Sequence, residues 1–220
     1  MELETAIEGT VVITADQTAG RGQRGNAWES EPGKNITCSV LVKPVFLAVQ
    51  DQFWLTVVAS LAVYDTLLRL GIESAIKWPN DLMVGDKKIA GILIENQISG
   101  TVLAKSVIGI GLNVNQQAFS VSRATSVYLC VQKETALPVL FESLMECFEH
   151  RYWQLRQNKK DVLKHEYVAK LYWRNEVHTF SVEGRLFNGV LLGVDASGKL
   201  MVERDKKIHT FDLKEIVFIK

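Results

Sequence analysis

The chain has 220 residues with 25 basic and 25 acidic side chains, so its formal charge at pH 7 is zero. That balance gives no footing for a nucleic-acid or anionic-membrane partner, and no run approaches the ~18 uninterrupted apolar residues of a membrane span. Three scattered cysteines without a C-x-x-C pair, four histidines without zinc-like spacing and no signal-peptide pattern at Met1-Glu2-Leu3-Glu4 predict a reduced, cytoplasmic protein without a bound metal of its own.

A β-branched run, Gly9–Ala15, predicts a first strand. The next segment, Gln17 to Trp28, carries no acidic residue and combines Gly20, Gly22 and Gly25 with Arg21 and Arg24. Glycines let the backbone approach phosphate oxygens, guanidinium groups bind them in pairs, and an indole can stack on a purine. Gly20–Gly25 fits G-x-G-x-x-G, but Glu31-Pro32-Gly33 stops the helix a dinucleotide fold needs there. The lysine and hydroxyl of a P-loop are missing after Gly25, and no kinase motif follows. Two readings of the loop remain open at this point, a nucleotide-binding loop and a solvated glycine-rich turn.

Alternation predicts a strand over Ile36–Val42. Helical spacing of Phe53, Trp54, Val57, Val58, Leu61, Leu67 and Leu68 predicts a helix from Gln50 to Leu70, stopped by Gly71. Ala75-Ile76 leads into Lys77-Trp78-Pro79-Asn80-Asp81, then a hairpin turning at Gly85-Asp86 and running through Lys87–Glu95. A strand after Ser99-Gly100 ends in Gly109-Ile110-Gly111-Leu112-Asn113. These strands are joined by short polar turns and are predicted to pair antiparallel. Two helices follow, from near Pro138 to Gln157 and from Asp161 to Tyr172. Beyond Asn175, five short strands in about 45 residues predict a small β-barrel.

The glycine-arginine loop, the Lys-Trp-Pro-Asn-Asp segment, the Lys87–Glu95 strand and the Gly-Ile-Gly-Leu-Asn segment, in this order, resemble the biotin protein ligases, which attach biotin to carboxylases. The resemblance spans nearly the whole chain. It implies an α+β fold, with a mixed or antiparallel sheet and packed helices of the class II aminoacyl-tRNA synthetase-like type over residues 1–174. A small C-terminal β-barrel would occupy 175–220. It implies activation of biotin by ATP to biotinyl-5'-AMP, with Mg2+ on the triphosphate, then transfer to a lysine of the biotin carboxyl carrier protein. A chain of this length has no room for the helix-turn-helix repressor module of longer members, so no operator binding is expected.

Activating a carboxylate brings two anions together, so such a site needs positive charge and aligned donors more than a nucleophile. The resemblance implies that Gln17 touches biotin and that Arg21, with Gly20 and Gly22 beside it, folds over biotin and the adenylate phosphate. Gln23 and Arg24 continue that loop, and Trp28 stacks near adenine. Lys88 reaches the biotinyl carboxylate and phosphate, with Asp81 as its partner, and Gly91 meets the ureido ring. Lys77 and Asn80 lie on the phosphate side, and Asn113 binds adenine. Arg21, Asp81 and Lys88 are the catalytic candidates.

Two departures stand out. Gln23 occupies the place of a second loop arginine, which predicts a less tightly held intermediate unless Arg24 compensates. The family's Ser-Thr-Asn signature is absent ahead of Gln17. Either the true start lies upstream, or one wall of the pocket is missing and an exposed sheet edge invites homodimerisation. The alternatives carried forward are a degenerate binding protein without complete transfer and a lipoate-type acyl ligase.

Overall fold

Short polar turns between β-branched runs build the first layer. The computed structural model describes residues 6–22 and 27–219. β1 (Val11–Thr14), β2 (Ile36–Val42), β3 (Ala75–Lys77), β4 (Asp81–Val84), β5 (Lys87–Ser99) and β6 (Val102–Leu112) form one sheet in the order β1-β2-β6-β5-β4-β3. Its ladders are antiparallel. Period-two alternation divides the two faces. Ile36, Cys38 and Val40 of β2 and Ile108, Ile110 and Leu112 of β6 are buried, whereas Thr37, Ser39, Gly109 and Gly111 are half-buried on the other face. The edge strand β1 leaves Val12 and Ile13 exposed.

Helices cover the apolar face. α1 (Phe53–Arg69) has no Gly or Pro inside it and buries Leu55, Val58, Leu61, Ala62 and Leu67. Gly71 follows its end at φ 73°, a conformation glycine adopts without a Cβ penalty. α3 (Leu137–Arg156) begins with Pro138 in its first turn, and α4 (Lys160–Ala169) follows after a short turn. The buried Arg151 of α3 binds both carboxylate oxygens of Asp65 on α1, at 2.7 and 3.1 Å, and Glu166 of α4 at 2.6 Å. One guanidinium thus fixes three helices; removing a partner would strand a buried charge. The short helix α2 (Val127–Val131) was not expected from the sequence. A single turn carries too little periodicity to read, and it is held by the Ser126 side chain accepting from Leu129 N at 3.3 Å.

The C-terminal strands are β7 (Val177–Val182), β8 (Arg185–Val194), β9 (Leu200–Arg204), β10 (Lys207–Phe211) and β11 (Val217–Ile219). They form an antiparallel sheet in the order β10-β9-β8-β7-β11. The predicted barrel is corrected here: among the described residues β10 and β11 are the outer strands and do not pair, so the sheet is open. β10 is exposed from Lys207 to Thr210 and β11 has only three residues, so neither edge can close the ring. This sheet docks on the first layer through specific contacts. Trp78 Nε1 donates to Gly198 O at 2.9 Å, and the Phe53 ring lies where a Cβ on Gly198 would fall. Within the first layer, Tyr167 of α4 donates its hydroxyl to Pro79 O at 2.7 Å and so holds the segment that carries Trp78.

Candidate functional site

The uncovered face of the first sheet holds a cavity of about 420 Å3. A single irregularity organises its chemistry. In a regular strand Lys88 and Gly91, three residues apart, would point to opposite faces. The β4–β5 ladder pairs Leu82 with Ala90 but Met83 with Lys88, leaving Ile89 as an extra residue in β5. That bulge buries Ile89 and Ala90 completely and returns Lys88 to the face of Gly91. A Cβ built on Gly91 would sit 3.0 Å from Lys88 Cε and Nζ. The neighbouring segment pins the backbone: Lys88 N donates to Arg123 O at 2.8 Å, and Thr125 N donates to Lys88 O at 2.9 Å.

Lys88 Nζ lies 2.6 Å from Asp81 Oδ1, with both side chains about a third exposed or less. Asp81 starts β4 opposite Lys77 of β3 and Gly91 of β5. The buried Asn80 ties this corner to β5 by donating from Nδ2 to Ile92 O. The Trp78-Pro79 peptide before it is cis.

The glycine-arginine loop folds back on itself. Arg21 and Ala27 form an antiparallel bridge, and Trp28 N donates to Gly20 O at 3.0 Å. A Cβ on Gly20 would fall 2.3 Å from Trp28 O, so glycine is needed where the strands of the loop cross. The returning chain lays the Trp28 indole against the sheet. Gly91 and Gly111 are cross-strand partners, and a Cβ on Gly111 would come within 2.5 Å of the indole. Lys88 Nζ stands 5.5 Å from the same ring's centroid. Arg21 reaches out from the loop to Glu95 at 3.3 Å in an exposed pair. Gln23 and Arg24 lie outside the described residues.

Among the described residues, two residues of the wall carry a buried side-chain atom without a partner, the acceptor Gln17 Oε1 and the donor Trp28 Nε1. A buried polar atom without a partner costs about 1–3 kcal/mol. Cys38 also touches the cavity, but burial pushes its thiol up to about 12, which keeps it protonated and unreactive.

Among the sequence candidates, Gln17, Arg21, Gly22, Trp28, Lys77, Asn80, Asp81, Lys88 and Gly91 line this one cavity. Gly20 supports the loop behind Trp28. Asn113 stands apart from the lining: it is buried, its Nδ2 donates to Thr125 O at 2.9 Å, and its Oδ1 has no partner. The cavity also has residues that sequence reasoning passed over. Thr14, Thr37 and Ser39 add hydroxyls, Glu95 adds a carboxylate, and Ile216, Val217 and Phe218 form a wall from the C-terminal sheet. The alternation of β2 could have revealed Thr37 and Ser39. Nothing local could have placed β11 beside Lys77, about 140 residues earlier. Among the described residues the lining contains no histidine and no Ser-His-Asp set; it offers the cations Arg21, Lys77 and Lys88, the carboxylates Asp81 and Glu95, hydroxyls and an apolar floor.

Residues 1–113 match the biotin/lipoate A/B protein ligase family. The chain is 32% identical over 225 residues to the bifunctional ligase/repressor BirA of Bacillus subtilis, covering 95% of this chain and 67% of that protein. It is 28% identical over 231 residues to a biotin–[acetyl-CoA-carboxylase] ligase of Paracoccus denitrificans, covering 99% of this chain and 94% of the relative. The structure of the biotin protein ligase from Aquifex aeolicus in complex with biotin and ATP superposes with a TM-score of 0.84 at 24% identity, covering 98% of this chain and 90% of that one. That likeness shows the shared fold. The cavity is therefore set in a fold and a sequence context of one kind, and the chain belongs to the biotin/lipoate A/B protein ligase family.

Proposed function

We propose that this protein is a biotin protein ligase, which joins the carboxylate of biotin to the α-phosphate of ATP with release of pyrophosphate and then passes the biotinyl group to a lysine of a biotin carboxyl carrier protein. The observation that carries the reading is the bulge in β5, which sets Lys88 beside Asp81 and Gly91 in a cavity that also holds Arg21, Lys77 and two unpaired polar atoms. Its described lining carries three cations, Arg21, Lys77 and Lys88, against two carboxylates, Asp81 and Glu95.

In this reading Gln17 and the backbone at Gly91 receive the biotin head group, with Thr37 and Ser39 on the adjacent strand. Lys88 bridges the biotinyl carboxylate and the α-phosphate, lowering the repulsion as oxygen approaches phosphorus. Asp81 orients the ammonium. Arg21 closes over the phosphate, Lys77 holds the far side of the triphosphate, and Trp28 offers an aromatic face to the base. Asn113, with its unpaired Oδ1, is the remaining candidate for the adenine. A Mg2+ brought in with the triphosphate would supply further charge neutralisation, while Arg21, Lys77 and Lys88 bind the phosphates. In the second step the acceptor amine attacks the mixed anhydride and AMP leaves. Loss of the amine proton would be assisted by a nearby carboxylate, and Glu95 lines the same cavity.

No helix among the described residues is long and apolar enough to cross a membrane. Three free cysteines fit a reduced, cytoplasmic setting. The exposed β1 edge offers a surface for pairing with a second copy. The ligase reading is tested by pyrophosphate–ATP exchange with biotin or lipoate as the acid. Exchange that depends on biotin and not on lipoate supports it; exchange with lipoate alone, or none with either, refutes it.

A further inference from the structure

Each of the three residues after Trp28 is fastened. The Glu29 carboxylate accepts from Ser120 N, at 3.1 and 3.2 Å, and from the Ser120 hydroxyl. Ser30 Oγ accepts from Asn35 Nδ2 at 3.1 Å, and Glu31 N donates to Gln116 Oε1 at 3.0 Å. The last two ties meet below the surface, where Asn35 Nδ2 also donates to Gln116 Oε1 at 2.6 Å. Gln116 is 1% exposed and Asn35 6%. The Gln116 oxygen thus takes a donor on each lone pair, and its Nε2 donates to Ala118 O at 2.8 Å. Asn35 Oδ1 in turn accepts from Val114 N at 2.9 Å.

The same stretch of chain braces Lys88. Ser126 donates its hydroxyl to Gln116 O, Lys88 N donates to Arg123 O, and Thr125 N donates to Lys88 O. Residues 116–126 therefore form a strap that grips the returning arm of the glycine-arginine loop at one end and the Lys88 backbone at the other. Glu29, Asn35, Gln116 and Ser120 are not among the residues that line the cavity, so their hydrogen bonds act on a ligand through the elements they hold. The buried bonds of Gln116 are stronger than the exposed tie at Glu29, because water competes less for them. We propose that Gln116 is a positioning residue: its carboxamide oxygen holds the arm that lays Trp28 on the sheet, and so sets the affinity of the cavity for the aromatic base of an adenylate. This inference rests on the ligase reading for the identity of that ligand and extends it to a residue outside the cavity.

The test is a mutant cycle on the whole chain. Calorimetry reads dissociation constants for biotinyl-5'-AMP and for biotin. Fluorotryptophan labelling reads the indoles without any ligand, with Trp28→Phe assigning the Trp28 resonance. Gln116→Met keeps the side chain's length and removes both acceptor bonds, whereas Gln116→Glu keeps an acceptor oxygen. Glu29→Ala cuts the exposed tie alone, so it serves even where Gln116→Met fails to fold. In Gln116→Met the Trp28 fluorine is expected to gain a solvent isotope shift in heavy water. Biotinyl-5'-AMP should then bind roughly five- to tenfold more weakly, with biotin within about twofold of the parent. Glu29→Ala gives the same pattern with an adenylate loss of about twofold, and Gln116→Glu keeps more affinity than Gln116→Met. With Trp28→Ala in the background, Gln116→Met has no further effect. A Trp28 resonance unmoved in Gln116→Met and Glu29→Ala overturns the proposal. So does an equal loss for biotin and the adenylate, or a Gln116→Met effect that persists without the indole, since general loosening of the fold would give either. The two readings fail separately. Biotin-dependent exchange by the parent with an unmoved Trp28 resonance removes only the inference, and the expected cycle without biotin-dependent exchange removes only the ligase reading. A parent chain that binds no biotinyl-5'-AMP removes both.

Discussion

Gly91 and Gly111 face one another across β5 and β6, and the Trp28 indole rests on the pair. A Cβ at Gly91 would come within 3.3 Å of the indole, and one at Gly111 within 2.5 Å. The smaller gap predicts the larger effect. Gly111→Ala is expected to lift Trp28 off the sheet and weaken binding of biotinyl-5'-AMP by about tenfold or more, and Gly91→Ala by less. Tryptophan fluorescence of each variant, with and without the adenylate, reads both effects.

The Lys88–Asp81 pair is expected to matter for rate far more than for stability. Both ends are partly exposed, so breaking the pair should alter folding stability by only about 0–1 kcal/mol. Lys88→Ala should lower kcat for adenylate formation by about 100- to 1000-fold, since it removes charge from the site where charge develops. Asp81→Ala combined with Lys88→Ala should be little worse than Lys88→Ala alone, because Asp81 acts through the lysine. Single-turnover kinetics and a thermal scan check the separation.

Arg21 and Glu95 form an exposed pair at the rim of the cavity. Glu95→Gln should leave stability within about 0.5 kcal/mol of the parent. It frees the guanidinium, so pyrophosphate should bind about two- to fivefold more tightly at low salt, with the gain fading at 0.5 M salt. Arg21→Ala should weaken pyrophosphate in the same assay. A Glu95→Gln protein that binds pyrophosphate more weakly would show that Glu95 orients Arg21 rather than competing for it.

Gly198 has φ 89°, and a Cβ there would fall 2.1 Å from the Phe53 ring. Gly198→Ala therefore combines backbone strain with overpacking and should cost about 2 kcal/mol or more, lowering Tm by roughly 4–8 °C. The same change loosens the carbonyl that Trp78 binds, so ATP affinity should fall with it. Calorimetry on this variant reads both.

Burial holds the Cys38 thiol up to about 12, above the ordinary thiol range. The folded protein keeps this proton while the unfolded chain loses it near pH 8.5. The associated stability is complete below that pH and is lost as pH rises towards the folded value. Denaturant midpoints should fall above pH 8.5, and fall less in Cys38→Ala. At neutral pH a maleimide should label the exposed Cys130 in the native protein, and Cys38 only after unfolding.

The layout of the first sheet was legible in the sequence because strands β2, β4 and β6 carry strong alternation or sharp turns. The long helices were legible from the spacing of their apolar residues. The barrel was misread because five short strands specify pairing between neighbours but say little about closure. Closure depends on whether β10 has an apolar face to bury, and Lys207 to Thr210 give it none. The site divides along the same line. Lys88, Asp81 and Gly91 lie close enough in sequence for their motif to be seen, yet the bulge at Ile89 that puts Lys88 and Gly91 on one face leaves no compositional trace. Phe218 and Glu95 enter the cavity by tertiary packing alone.

The ligase reading has this cavity receive a biotin joined to adenosine monophosphate, beside Trp28 and against Lys88. Calorimetric titration of the whole chain with biotinyl-5'-AMP tests it most directly, in the parent and in Gly111→Val. Saturable one-to-one binding by the parent is expected, and its loss when valine at 111 displaces Trp28 from the sheet. No binding by the parent, or binding that valine leaves unchanged, would contradict it.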